Sequence, residues 1–125
     1  MMSSFLQVAI GGAIGSCLRF GVGILMLRLT GPGMPLGVLT VNIVGSFLMG
    51  VVMVLSLHRD LGHLNPLLMT GLLGGFTTFS AFSAEAFTLY EHGQMTAAAV
   101  YVALSVVLSI GAFVLGAALT RAAVA

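Results

Sequence analysis

The sequence has no Lys, no Trp and a single Cys, and its charged side chains are four Arg with Asp60, Glu85 and Glu91, 6% of 125 residues. Soluble domains carry about 25% charged residues, so this scarcity excludes a surface that water could solvate. No block of basic residues is present and the formal net charge is only +1, which excludes nucleic acid as a partner. Cys17 stands alone inside an apolar segment, so no intrachain disulfide can form and the redox compartment stays open. No zinc-ligand spacing, Walker loop or nucleophile–base constellation appears, and the protein is not expected to be an enzyme.

What is present is apolar: 59% of the residues are hydrophobic. A membrane helix needs roughly 20 apolar residues, so the length accommodates about four spans and little else. Glycine, proline and charge divide the chain into segments at about 5–29, 37–57, 66–90 and 96–119, read as one four-helix transmembrane domain. Continuous apolar runs such as Gly50-Val51-Val52-Met53-Val54-Leu55 exclude the alternation of a membrane β-barrel. The first segment has no basic residue before it and is longer than a signal core, so it reads as a retained span.

Four spans place both termini and the 58–65 connection on one side. That side carries Arg59 and Arg121, the other Arg28, and Asp60 weakens even this margin. Orientation follows Lys/Arg asymmetry in short loops, so the chain either inserts both ways up, favouring an antiparallel two-fold dimer, or has a weak bias that the insertion machinery resolves. Gly11/Gly15, Gly12/Ser16, Gly71/Gly75 and Ala112/Gly116 repeat small residues at four-residue spacing and read as close helix packing.

Two ionisable side chains lie well inside spans, Arg19 and Glu85, and burying either in a bilayer suggests a function or a partner. Arg19 reads equally as a strut bonding helix-end carbonyls or as a positive potential for an anion. Glu85, a turn and a half from the end of the third span, reads as a mouth-lining or a snorkelling acid. His58 and His63 read as loop residues.

The stretch Gly71-Leu72-Leu73-Gly74-Gly75-Phe76-Thr77-Thr78-Phe79-Ser80-Ala81-Phe82-Ser83 is poor material for a continuous helix. A break near 74–78 is predicted, and backbone freed at membrane depth is where ions tend to bind: a cation at carbonyls, an anion at helix amides. Beyond it, Phe79 and Phe82 share a helix face, as do Ser80 and Ser83. Ring edges and hydroxyl protons are positive, so such a face suits a small anion; ordinary aromatic packing is the alternative. Tyr101, Ser105 and Ser109 form a hydroxyl stripe on the fourth span, and Asn42 and Ser46 follow Thr40 on the second. Singly these are interhelical glue; together, without a set of acids and bases, they suit an uncharged or anionic species better than a proton relay.

With these motifs in place the sequence resembles the Fluc-type (CrcB) fluoride channels over nearly its whole length. The resemblance rests on Gly11-Gly12-Ala13-Ile14-Gly15-Ser16-Cys17-Leu18-Arg19, on Pro35-Leu36-Gly37-Val38-Leu39-Thr40-Val41-Asn42, and most specifically on Gly74-Gly75-Phe76-Thr77-Thr78-Phe79-Ser80-Ala81-Phe82-Ser83-Ala84-Glu85. It implies an all-α, dual-topology antiparallel homodimer in the bacterial inner membrane, with two fluoride pores and a central structural Na⁺. By the same resemblance, Gly74 and Thr77 supply the sodium carbonyls and Phe79 and Phe82 the aromatic contacts to fluoride. Asn42 and Ser80 act as donors, Tyr101, Ser105 and Ser109 as a polar track, and Arg19 and Glu85 match the family's arginine and acid. Val38 and Ala81 depart from the family, which usually has Thr at each. The expected function is passive fluoride export; the alternatives are a small multidrug-type proton antiporter, for which the first span lacks the deep acid, and a non-transporting assembly subunit.

Overall fold

In the computed structural model, which describes residues 2–125, the apolar segments form helices joined by short turns. Helix α1 (Met2–Thr30) is followed by α2 (Leu36–His58). A 3-10 turn, Gly62–Leu64, leads into a third span built from a π-helix, Pro66–Leu73, the short α3 (Gly74–Phe76), and, after an interruption, α4 (Phe79–Glu91). Helix α5 (Met95–Val124) completes the chain. Among the described residues four helical stretches are long and apolar enough to cross a bilayer, and the third is interrupted at Thr77 and Thr78.

The interruption does not fall on the glycines. Gly74 and Gly75 remain helical, whereas Thr77 (φ −89°, ψ 159°) and Thr78 (φ −155°, ψ 122°) are extended. Two threonines in sequence favour extended backbone because their β-branched side chains crowd a helical turn. His58 is likewise not a loop residue: it closes α2, with Nδ1 3.0 Å from Val54 O. His63 lies in the 3-10 turn.

Spans pack in alternate pairs that run in the same direction. On one side α1 meets the first half of the third span: a Cβ at Gly11 would meet Leu67 O, one at Gly15 would meet Leu72 O and stand 2.9 Å from Phe76 N, and one at Gly75 would stand 2.9 Å from Gly12 O. On the other, α2 meets α5 through Gly50 against Phe113 O and Gly116 against Phe47 O. The sequence's small-residue pairs thus act as backbone seams, which in lipid supply the van der Waals contact that a hydrophobic effect cannot. A compact core of Leu39, Phe82, Leu89 and Tyr101 sits where α2, α4 and α5 converge. Outside it, α1 presents Phe5, Leu6, Leu18, Phe20 and Leu29 outward, as a lipid-facing helix should.

Gly15→Ala is expected to destabilise the protein by about 1–3 kcal/mol, because the added methyl meets packed backbone rather than a movable side chain. Gly21→Ala, whose methyl would meet nothing within 4 Å, is expected to leave stability nearly unchanged. Thermal unfolding of the two variants in detergent checks the contrast.

Candidate functional site

The third span ends its first half through local bonds. Leu73 O accepts both Thr77 N–H, at 3.0 Å, and Thr77 Oγ1, at 2.9 Å, which closes the last turn. Thr78 then serves as N-cap of α4, its Oγ1 accepting from Ala81 N at 3.1 Å. This cap was readable from a threonine placed just before a helical run. Ser80 Oγ stands 3.3 Å from Thr78 Oγ1.

Two distant side chains hold the interruption from either side. Asn42 of α2 clamps Thr78 completely: its Nδ2 donates to Thr78 O at 3.1 Å and its Oδ1 accepts from Thr78 N at 2.8 Å. These two bonds also fix which end of the amide is oxygen, and they leave one Nδ2 hydrogen for another acceptor. Arg19 of α1 donates from Nε to Gly75 O at 3.1 Å, so of the two roles open to it in the sequence, the helix-end carbonyl contact is present. Leu73, Gly75 and Thr78 carbonyls are therefore engaged, while those of Gly74 and Thr77 have no donor among the described residues.

Beside this segment lies a cleft of about 400 Å³ lined by Asn42, Ser46, Phe79, Phe82, Ser105 and Ser109 among others, with no charged residue in its wall. The Phe79 and Phe82 ring centroids are 5.4 Å apart at 69°, an edge-on arrangement. Phe82 is 8% exposed and Phe79 76%, so one ring belongs to the core while the other touches it edge-on and is otherwise largely uncovered. The hydroxyls of Ser105 and Ser109 are buried and have no hydrogen-bond partner among the described residues. This is unusual within a helix, where a hydroxyl readily turns back to the carbonyl four residues earlier, as Thr40, Thr88 and Thr120 do here.

Tyr101, fully buried, stands next in line, its ring centroid 5.3 Å from that of Phe82. Its hydroxyl donates to Glu85 Oε2 at 3.1 Å, a contact between spans that sequence inspection did not anticipate. Glu85 in turn lines a second cavity of about 390 Å³ beneath the connection Gly31-Pro32-Gly33-Met34-Pro35. Cleft, Phe82, Tyr101, Glu85 and cavity thus follow one another along α4 and α5. The structure brings Asn42, Phe79, Phe82, Ser105 and Ser109 into one place; Ser80 lies exposed beside Phe79 and Ser83 donates locally to Phe79 O. Val38 packs against the Tyr101 core rather than into the cleft.

Fold and cleft together define a small polytopic membrane protein whose polar machinery is neutral and hydroxyl-rich. The family model described as "CrcB-like protein, Camphor Resistance (CrcB)" matches residues 6–117, and the chain belongs to the CrcB family. It is 56% identical over 117 residues to a protein of Ruegeria sp. (strain TM1040) named "Fluoride-specific ion channel FluC", covering 93% of each chain. Proteins of the same name from Cereibacter sphaeroides (strain ATCC 17029 / ATH 2.4.9) and Rhizobium etli (strain CIAT 652) are 54% identical with 97% of each chain covered, and 52% identical with 98% covered.

Asn42→Leu keeps the approximate volume but leaves the N–H of Thr78 without its acceptor, while Thr78 O, as the N-cap carbonyl of α4, keeps the first intrahelical bond. A loss of about 1–3 kcal/mol for that one orphaned donor is expected, measured as a lower unfolding temperature than that of the wild type.

Proposed function

We propose that the chain is a fluoride-selective channel of the bacterial inner membrane, passing F⁻ passively out of the cell. The observation that carries this reading is the pair of buried, unpartnered hydroxyls of Ser105 and Ser109 in a cleft shared with the Asn42 amide and the edges of Phe79 and Phe82. A small, strongly hydrated anion loses its water only where other donors replace it. Hydroxyls, the remaining amide hydrogen of Asn42 and positive ring edges supply them. None carries a full charge, so binding is strong enough for admission yet weak enough for release, as conduction requires. The names of the relatives agree with this chemistry. The antiporter alternative lacks support: no acid lies in the cleft wall or deep in the first span.

Fluoride enters cells as neutral HF and dissociates near neutral pH. A negative-inside potential, worth about 2.3 kcal/mol per charge per 100 mV, then drives the anion outward through any selective leak. No energy source or catalytic turnover is needed.

The working unit in this reading is an antiparallel homodimer of dual-topology chains. Phe79, Ser80 and Gly74 are exposed on the single chain beside the interrupted helix. Non-helical backbone at that depth is tolerated only when protein or a polar cavity covers it, and a second copy related by a two-fold axis covers it symmetrically. The free carbonyls of Gly74 and Thr77 then suit one Na⁺ on that axis. The donor set is neutral oxygen without carboxylate, which fits a monovalent hard cation better than Ca²⁺ or Mg²⁺. When bound, the ion supplies the positive charge that joins the two sets of carbonyls.

Purified protein in liposomes is expected to release fluoride, read by a fluoride electrode, while retaining chloride; chloride release at a comparable rate would reject the channel's selectivity. Phe79→Ile and Asn42→Asp are each expected to lower fluoride flux at least about tenfold, the loss of roughly 1.4 kcal/mol of barrier stabilisation. Unchanged rates in both would reject the placement of the pore.

A further inference from the structure

Arg19 meets the interrupted span at one atom. Its Nε–H donates to Gly75 O, and that neutral carbonyl lies next in sequence to one of the two carbonyls assigned to sodium. Successive residues of a helix are rotated by about 100°. Gly75 faces α1, where a Cβ would stand 2.9 Å from Gly12 O and 3.3 Å from Ser16 N, whereas Gly74 lies on the exposed side. Engaging Gly75 therefore anchors the last turn to α1 without consuming the Gly74 oxygen. The Asn42 clamp does the same from the other end, fixing Thr78 and so the residue that follows Thr77. Only Phe76 and Thr77 lie between the two anchors, and Gly74 stands directly before the first of them.

We infer that Arg19 is a positioning residue for the cation site, setting the direction of the Gly74 and Thr77 carbonyls through its hold on Gly75. The inference rests on the sodium reading given above. The guanidinium suits this task because Nε–H sits in a rigid planar fork, whereas a lysine ammonium is a compact point on a flexible stem. It also opposes a simpler electrostatic expectation. A positive charge near a cation site weakens cation binding, so removing it should tighten sodium if charge alone mattered. Positioning demands the reverse.

The test is thermal unfolding of the full-length protein, purified without sodium in N-methylglucamine chloride and titrated with NaCl at constant ionic strength. Wild-type protein is expected to unfold at a higher temperature as sodium is added. Arg19→Gln is expected to raise the sodium concentration for half-maximal stabilisation roughly tenfold, the usual scale for losing a group that orients metal ligands. Arg19→Lys, which keeps the charge but not the fork, is expected to raise it by a smaller factor. An unchanged sodium midpoint in both variants, even with lower unfolding temperatures in every salt, would show a purely structural strut and overturn the inference. A lowered midpoint in Arg19→Gln would show charge repulsion alone and overturn it equally. If Arg19→Gln does not yield folded protein, the Arg19→Lys midpoint decides by itself. A wild type indifferent to sodium overturns the sodium reading, a failure distinct from that of Arg19 because it appears before any variant is made.

Discussion

Inside a bilayer every backbone N–H and C=O must find a partner within the protein, and the two extended residues Thr77 and Thr78 are where this chain meets that demand. Helical bonding stops there, so side chains and caps from three spans take over. Thr77 folds back on Leu73, Thr78 caps α4, Asn42 closes both backbone groups of Thr78, and Arg19 takes Gly75 O. The seams serve the same end. Gly11 and Gly15 let α1 approach the first half of the span closely enough for Arg19 to reach it, and Gly45, where a Cβ would meet the Thr77 methyl, lets α2 do so for Asn42. Close packing here is the means by which an interrupted helix becomes tolerable in lipid.

The interruption has a second consequence. It restarts the helix at Phe79, which sets the angular position of Phe82 and so places one ring in the core against Tyr101 and the other at the cleft. A continuous helix would have no N-cap at Thr78 and no reason to hold that face toward Ser105 and Ser109. Backbone geometry at the break and donor geometry in the cleft are thus one construction, with Asn42 belonging to both. Asn42 spends one amide hydrogen and its oxygen on the backbone of Thr78 and keeps a second amide hydrogen, while its side chain lines the cleft.

Much of this was legible in the amino-acid order because membrane physics is periodic and local. Four apolar stretches give four spans, the small-residue pairs give the seams, and Tyr101, Ser105 and Ser109 at four-residue spacing give one face of a helix. The composition at 71–78, adjacent glycines followed by two threonines, pointed to an interruption near 74–78 without separating the two residue types. In the structure Gly71 and Gly75 serve the seam with α1, and the β-branched threonines leave the helix instead. The contacts that complete the site were not legible: Asn42 with Thr78, Arg19 with Gly75 and Tyr101 with Glu85 join residues 36, 56 and 16 positions apart. No spacing rule predicts a partner on another span. Arg19 stayed ambiguous for that reason, since a charge in a membrane segment announces a partner without naming it.

The scarcity of charge acquires a structural meaning from the same contacts. Arg19 and Glu85 are the ionisable groups within the spans beside this machinery, and each is turned to a neutral partner, a carbonyl and a phenol hydroxyl. Neither lines the cleft, whose wall is apolar rings, hydroxyls and an amide. A full positive charge in that wall would hold a small anion too tightly to release it, and a negative one would repel it. Confining the charges to the backbone anchor and to the cavity beyond Tyr101 leaves the wall graded in weak donors. On the proposed function, the same economy of charge that forbids a soluble fold is what lets a desolvated anion move.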